Sequence, residues 1–197
     1  MTKRKIQILT DDEVLSMIAA WPADTRAGSR NRAVIAVLWR AGLRVSELAD
    51  LTLDDLERGT IRVHNGKGSM ARTCGIDADA MELVAAWIAV RPLAGTDWLF
   101  CGLFNGAAGH RLHVRWVREM LRSSATRAGI TKRVHPHGMR HSHAAALAAE
   151  GVPINIISKQ LGHRRSSTTS EYIDHIAGVT AASAIAQRPR WLGPRPA

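Results

Sequence analysis

Four short stretches of this 197-residue chain hold side chains that grip anions, move protons or attack electrophiles. They are AGLRVSEL with Arg44, NGKG with Lys67, HPHGMRH with His137 and Arg140, and LGHRRSSTTSEYIDH with His163 and Tyr172. A guanidinium is a planar, permanently charged fork that binds two oxygens at once, so Arg44 and Arg140 suit charge building up on a phosphoryl group. His163 adds a further donor, and imidazoles such as His137 exchange protons near neutral pH. Tyr172 is the only tyrosine, and a phenol with a pKa of about 10 needs a proton acceptor to become a nucleophile at neutral pH.

Each stretch alone has an ordinary reading. Arg44 could pair with Glu47, Lys67 could be a solvated turn residue, and His137 with Arg140 could line a helix surface. A tyrosine near a helix start is commonly a half-buried packing residue with one hydrogen bond. His135, His137, His141 and His143 also invite a metal-site reading. His137 and His141 share a helix face at four-residue spacing, but no Glu lies between them as a metalloprotease helix requires, and Arg140 would repel a divalent cation.

Composition narrows the partner. Lys and Arg number 27 against 17 Asp and Glu, a formal charge of +10 that suits a polyanion. No apolar run approaches a membrane span or a secretory signal, which predicts a cytosolic protein. Neither a basic amphipathic helix nor a lipidation signal points to a membrane surface. Cys74 and Cys101 are too few for a disulfide framework or a cysteine-rich zinc site and read as reduced, structural thiols.

The elements that must position these residues are mostly helical. Thr10 to Glu13 forms a capping box for a helix to about Trp21, and a Gly/Ser/Arg-containing loop leads to a second helix over Arg32 to Ala41. Gly42 ends that helix, which puts Arg44 at a junction before a short helix beginning at Ser46 and Glu47. Alternation at Ile61 to His64, the turn pair Asn65-Gly66 and a return over Ala71 to Ile76 predict a hairpin with Lys67 projecting from it. Helices follow at Ala78 to Val90, Val114 to Ala128, Gly138 to Glu150 and Pro153 to about Leu161, with a short strand-like piece at Trp98 to Phe100. Two last short helices are expected near 168–174 and 180–187. The expected fold is α+β, predominantly helical with one small antiparallel sheet, in a single domain over 1–197 whose tail from 188 is irregular.

The order and spacing of the four stretches, from about Leu9 to Ile176, resemble the tyrosine recombinase (phage integrase) family. In that family an arginine follows Gly-Leu and precedes Ser-Glu-Leu, matching Arg44, and a lysine sits in a Gly-Lys-Gly hairpin, matching Lys67. A His-x-x-Arg-His box matches His137, Arg140 and His141. Leu-Gly-His with a tyrosine nine positions on matches His163 and Tyr172, the most specific stretch of the set. Met139 stands where the family usually has Leu, a volume-conserving change.

The resemblance implies the tyrosine recombinase catalytic-domain fold and a DNA strand transfer through a 3′-phosphotyrosine made by Tyr172. His137 is then the proton acceptor and Lys67 the general acid that protonates the departing 5′ oxygen. Covalent capture stores the bond energy, so the implied scheme uses no metal, ATP or other cofactor. Double-stranded DNA is the implied partner, with four protomers on two duplexes. Arg72, Lys132, Arg133, Arg164 and Arg165 adjoin the matched boxes and are candidate phosphate contacts, or else ordinary solvated charges.

Most family members carry a separate N-terminal domain that closes a clamp around the duplex, and here only a few residues precede the first helix. The chain is therefore either a fragment or a naturally single-domain enzyme, as the similarly short fimbrial phase-variation recombinases are. A type IB topoisomerase uses a similar constellation on one duplex, and a noncatalytic DNA-binding regulator could keep the fold. The short chain and the Leu-Gly-His to Tyr spacing favour the recombinase over the first, and the full complement of catalytic residue types over the second.

Overall fold

A computed structural model of the chain describes residues 7–64, 71–92, 96–104, 106 and 108–162. Within them, helices run over Asp11–Ala19 (α1), Arg26–Arg40 (α2), Val45–Ala49 (α3), Ala78–Val90 (α4), Val114–Arg127 (α5), Pro136–Ala149 (α6) and Ile154–Leu161 (α7). Three strands, Leu56–Glu57 (β1), Thr60–Val63 (β2) and Arg72–Gly75 (β3), form an antiparallel sheet in that order. Val63 faces Arg72 and Thr60 faces Gly75 across the hairpin. The architecture is the helical α+β fold expected from the sequence, with β1 as an additional edge strand.

Local chemistry accounts for most boundaries. The Thr10 side chain accepts from the Glu13 amide while Glu13 accepts from the Thr10 amide, the reciprocal cap that starts α1. α2 starts six residues before the Arg32 expected from apolar periodicity. Thr25 caps it by accepting from the Gly28 amide at 3.0 Å, and Gly28 packs so closely on the Pro22 carbonyl that a β-carbon there would overlap it. Weak intrinsic helix formers, Gly28 and Ser29, are thus held helical by a cap and by tertiary packing.

α2 is the central pillar. Ala33 to Trp39 are all buried, and the helix packs against α1, α4 and α6. A helix buried around most of its circumference loses the one-sided apolar stripe of a surface helix. From α4, buried Trp87 donates through Nε1 to the Leu99 carbonyl at 2.7 Å. Trp98 to Phe100 is not a strand as expected. It makes an isolated bridge from Trp98 to Thr52 and a backbone bond from Leu99 to Leu51, which anchors the loop below α3.

α6 and α7 close the site end of the fold. Pro136 takes the first helical position of α6, where its missing amide costs nothing, so the helix begins two residues before Gly138. Ala144, Ile157 and Leu161 form a small satellite core between these two helices. α7 ends at Gly162 in the left-handed conformation, with φ 66°. Both cysteines are free and buried, and no helix of the described residues is long and apolar enough to cross a membrane.

Candidate active site

Arg44 is the residue immediately before α3, in extended backbone, which turns its side chain out of the α2–α3 corner. Glu47, one turn into α3, accepts from the Arg44 amide at 2.7 Å and from Arg44 Nη1 at 2.8 Å. Glu47 is buried whereas the Arg44 side chain stays 40% exposed, so the carboxylate anchors an arginine that still reaches solvent. A second arginine grips the same carboxylate. Arg72 of β3 donates from Nη1 at 2.8 Å and from Nη2 at 2.9 Å, a two-pronged ion pair. Burial by itself would raise the Glu47 pKa, but the hydrogen bonds from Arg72 and the Arg44 amide more than reverse this and hold it at about 2.

Arg140 enters from α6 and is buried. Its Nη1 donates to the Gly42 carbonyl at 2.6 Å and its Nη2 to the Leu161 carbonyl, so one guanidinium ties the α2–α3 corner to the end of α7. The α7 terminus presents unpaired carbonyls and the negative end of the helix dipole, a favourable seat for a cation. Burial, then the positive charge of Arg44, lowers the Arg140 pKa to about 10, which still leaves the group protonated at neutral pH.

His137 lies in the first turn of α6, whose cap is built by its neighbours. His135 Nδ1 accepts from the Gly138 amide at 2.6 Å, and a β-carbon on Gly138 would come within 2.8 Å of that nitrogen. The HPHG run is therefore a capping unit that fixes where His137 emerges. The His137 ring meets His141 edge-on, with centroids 4.2 Å apart, as their four-residue spacing predicts. Burial, with the positive neighbours His135, Arg140 and Arg44, lowers the His137 pKa, favouring the neutral imidazole that can accept a proton.

The structure brings Arg44, His137 and Arg140 into one charged cluster from two elements, the start of α3 and the first turns of α6, with 98 positions of chain between Gly42 and Arg140. Lys67, His163, Tyr172, Arg164 and Arg165 lie outside the described residues, as do the two helices expected after 168. Among the candidate phosphate contacts, Arg72 is placed against that expectation, because its side chain is only 7% exposed and its fork is engaged by Glu47. Lys132 is likewise taken up internally, by Glu13 at 2.7 Å and the Ile8 carbonyl at 2.9 Å. Arg133 is exposed.

One basic surface escaped the sequence reading. α5 buries Val117, Met120, Leu121, Ser124 and Ala125 and exposes Arg115, Arg118 and Arg122 on its opposite side. Arg115 pairs with Glu119 at 2.8 Å. The signal was the spacing of three and four residues between these arginines, which places them on one helix face. α5 packs beside α3, and Arg111 just before it pairs with Asp50 at the end of α3.

A family model described as the phage integrase family matches residues 7–177. The chain belongs to the phage integrase family. Tyrosine recombinase XerD of Mycobacterium tuberculosis (strain ATCC 25618 / H37Rv) is 34% identical over 202 residues, covering 99% of this chain and 63% of the relative. A tyrosine recombinase of Thermosipho africanus (strain TCF52B) is 35% identical over 186 residues, covering 93% of this chain and 62% of the relative. This phage integrase family chain thus spans less than two thirds of the length of these relatives.

Solved structures agree on the fold. The XerA recombinase superposes with a TM-score of 0.81 at 28% identity, over 96% of this chain and 68% of that one. A lambda integrase dimer bound to a COC' core site gives 0.70 at 15% identity, over 99% of this chain and 53% of that one, a likeness of fold alone. In this chain Glu47 and Arg72 are the buried support beneath Arg44.

Proposed function

We propose that this chain is the catalytic domain of a site-specific DNA recombinase that cleaves and rejoins strands through a 3′-phosphotyrosine at Tyr172. The observation that carries the reading is the convergence of Arg44 and Arg140, two guanidiniums from distant segments fixed beside His137 by a shared framework. Guanidiniums gathered at one place from separate segments are preorganised to stabilise negative charge. A phosphodiester entering attack gains negative charge on its nonbridging oxygens, which matches that arrangement.

In this reading Arg44 and Arg140 hold the nonbridging oxygens and His163 adds a donor. His137, kept neutral by burial and its cationic neighbours, takes the Tyr172 proton as the phenol oxygen attacks phosphorus. The bond from phosphorus to the 5′ oxygen breaks, and Lys67 protonates that leaving group. The 5′ hydroxyl of a partner strand then reverses the step without ATP or metal. Exposed Arg118, Arg122 and Arg133 supply sequence-independent phosphate contacts that steepen the salt dependence of binding. Assembly of several protomers on DNA belongs to the same proposal, as does the extent of the catalytic domain over 1–197.

The test is a nicked suicide duplex, on which cleavage releases a short strand and prevents rejoining. The wild type accumulates a covalent protein–DNA adduct and Tyr172→Phe accumulates none. An adduct formed equally by the variant contradicts the assignment.

A further inference from the structure

The two arginines that the proposed chemistry uses are not the only ones gathered at this end of the fold. Arg72 reaches the same cluster from β3, and its donors are committed inward. Nη1 and Nη2 grip Glu47, while Nε donates to the Gln160 carbonyl at 3.0 Å. The next carbonyl of α7, that of Leu161, receives Arg140. Two adjacent carbonyls in the last turn of one helix therefore seat both arginines, and Glu47 joins Arg72 to Arg44.

Gln160 reinforces the arrangement from the other side. Its amide clamps the backbone of Gly75, accepting from the Gly75 nitrogen at 2.9 Å and donating to the Gly75 oxygen at 2.8 Å, as a neighbouring strand would. Cys74 adds a thiol contact to the Gln160 carbonyl at 3.3 Å. At Gly162 a β-carbon would stand 2.7 Å from Arg72 Cδ, so the helix terminus closes directly over the Arg72 side chain. Arg72 is thereby walled in by β3, α3 and α7.

From this geometry we infer that Arg72, seated by Gln160, is a positioning residue that sets the orientation of Arg44 through Glu47. By gripping both Glu47 oxygens, Arg72 fixes the plane of the buried carboxylate to which the Arg44 amide and Nη1 are bonded, and so fixes where the Arg44 guanidinium sits. The planar fork matters here, because a lysine ammonium at the same place meets the carboxylate as a single point and cannot also reach the Gln160 carbonyl in the same plane. The effect falls on transition-state charge neutralisation rather than on DNA affinity. The inference rests on the transesterification proposed above and adds a residue that never touches the substrate.

The test takes the full chain and a nicked duplex probe isolated by adduct capture from a pool with a randomised core. Single-turnover cleavage, Kd and its salt slope are measured for wild type, Arg72→Lys and Gln160→Met. A second version of the probe carries a methylphosphonate at the scissile position, which removes the negative charge that Arg44 would neutralise. On the ordinary phosphodiester Arg72→Lys should cleave roughly ten- to a hundredfold more slowly and Gln160→Met, which keeps the backbone carbonyl under Arg72 and loses the clamp on Gly75, about three- to tenfold more slowly, with Kd and salt slope unchanged. On the methylphosphonate the deficit should shrink to within about threefold of wild type, since little charge is left for Arg44 to meet.

Gln160→Met keeps the Arg72 side chain but loosens the clamp that holds β3, and Arg72 with it, against α7, and it keeps the question answerable if Arg72→Lys does not fold. Wild-type cleavage rates in both variants overturn the inference. So does a weaker Kd with a flatter salt slope, which would make Arg72 a phosphate contact, or an equal deficit on both probes, which would make it support for the fold alone. A wild type that forms no adduct with any member of the pool sinks the underlying reaction itself, a result distinct from all of these.

Discussion

Arg140 donates to the Gly42 carbonyl at 2.6 Å, which places the guanidinium of α6 directly behind the corner from which Arg44 emerges. The pair is a fixed relationship between segments far apart in the chain. Arg140→Lys keeps the charge but loses the simultaneous reach to Gly42 and Leu161, leaving buried carbonyls without partners. Cleavage should fall by about a hundredfold or more, and stability by about 1–3 kcal/mol for the lost buried bonds. Single-turnover cleavage beside a thermal melt separates the two effects, and a variant losing only stability would argue against Arg140 meeting the phosphate.

Gly42 itself is tested by comparison with Gly151. Both have positive φ, 62° and 80°, so alanine at either carries a backbone penalty of about 1 kcal/mol. Around Gly151 nothing lies within 4 Å of an added β-carbon, whereas at Gly42 it would overlap the His143 ring and crowd Leu161. Gly42→Ala should therefore cost at least about 2 kcal/mol and Gly151→Ala about 1 kcal/mol in denaturant unfolding. Equal costs would mean that the corner is not as tight as described.

Acid should weaken the fold in two overlapping windows. Burial, then Arg40 and Arg140, lowers the His143 pKa from 6.5 to about 4, against smaller opposing effects from Asp77 and the Trp39 backbone. Glu47 is lowered from 4.5 to about 2. In both cases the unfolded chain binds the proton first, so stability falls as pH drops, from about 6.5 toward 4 for His143 and from about 4.5 toward 2 for Glu47. Each contributes on the order of 3 kcal/mol across its window. Unfolding free energy measured from pH 7 to pH 3 should lose its upper step in His143→Gln, and a pH-independent upper range in wild type would contradict the assignment.

The acid limb of DNA cleavage should lie below pH 6.5, because His137 is shifted down from that ordinary value and must be neutral to accept a proton. Removing the Arg44 charge with Arg44→Gln should move that limb up, since one of the positive neighbours disfavouring imidazolium is gone. A pH–rate profile of adduct formation reads both, on the residual activity of the variant. A limb that stays in place when Arg44 is neutralised would separate His137 from the observed titration.

Much of this organisation is legible in residue order, and the exceptions have physical causes. Caps with side-chain donors and acceptors are local, so Thr10 before α1 and Gly162 after α7 follow from neighbouring residues alone. α4 is bounded as expected at Ala78 and Val90 for the same reason, with Asp77 accepting from the Ala80 amide at 2.9 Å. The start of α2 was hidden because burial of Ser29, Arg30 and Asn31 overrides their polar character. Arg30 reaches the Cys101 carbonyl at 3.0 Å and stacks over Trp116, partners that no local pattern announces.

At the site, the boxes named Arg44, His137 and Arg140, while the roles of Arg72 and Lys132 depend on partners 25 and 119 positions away. A basic residue beside a catalytic box reads as a phosphate contact until its carboxylate is seen. The face of Arg118 and Arg122 was missed for the opposite reason, since it stands beside no catalytic box in the sequence and α5 meets α3 only through tertiary packing.

The most direct measurement locates the DNA on the protein. Trapped adduct is digested with nuclease and trypsin, and the modified peptide is sequenced by mass spectrometry. The account predicts a nucleotide 3′-phosphoryl group on Tyr172, within the peptide that begins at Ser166, and no adduct from Tyr172→Phe. A nucleotide found on a serine, a histidine or any other residue of the chain would contradict it.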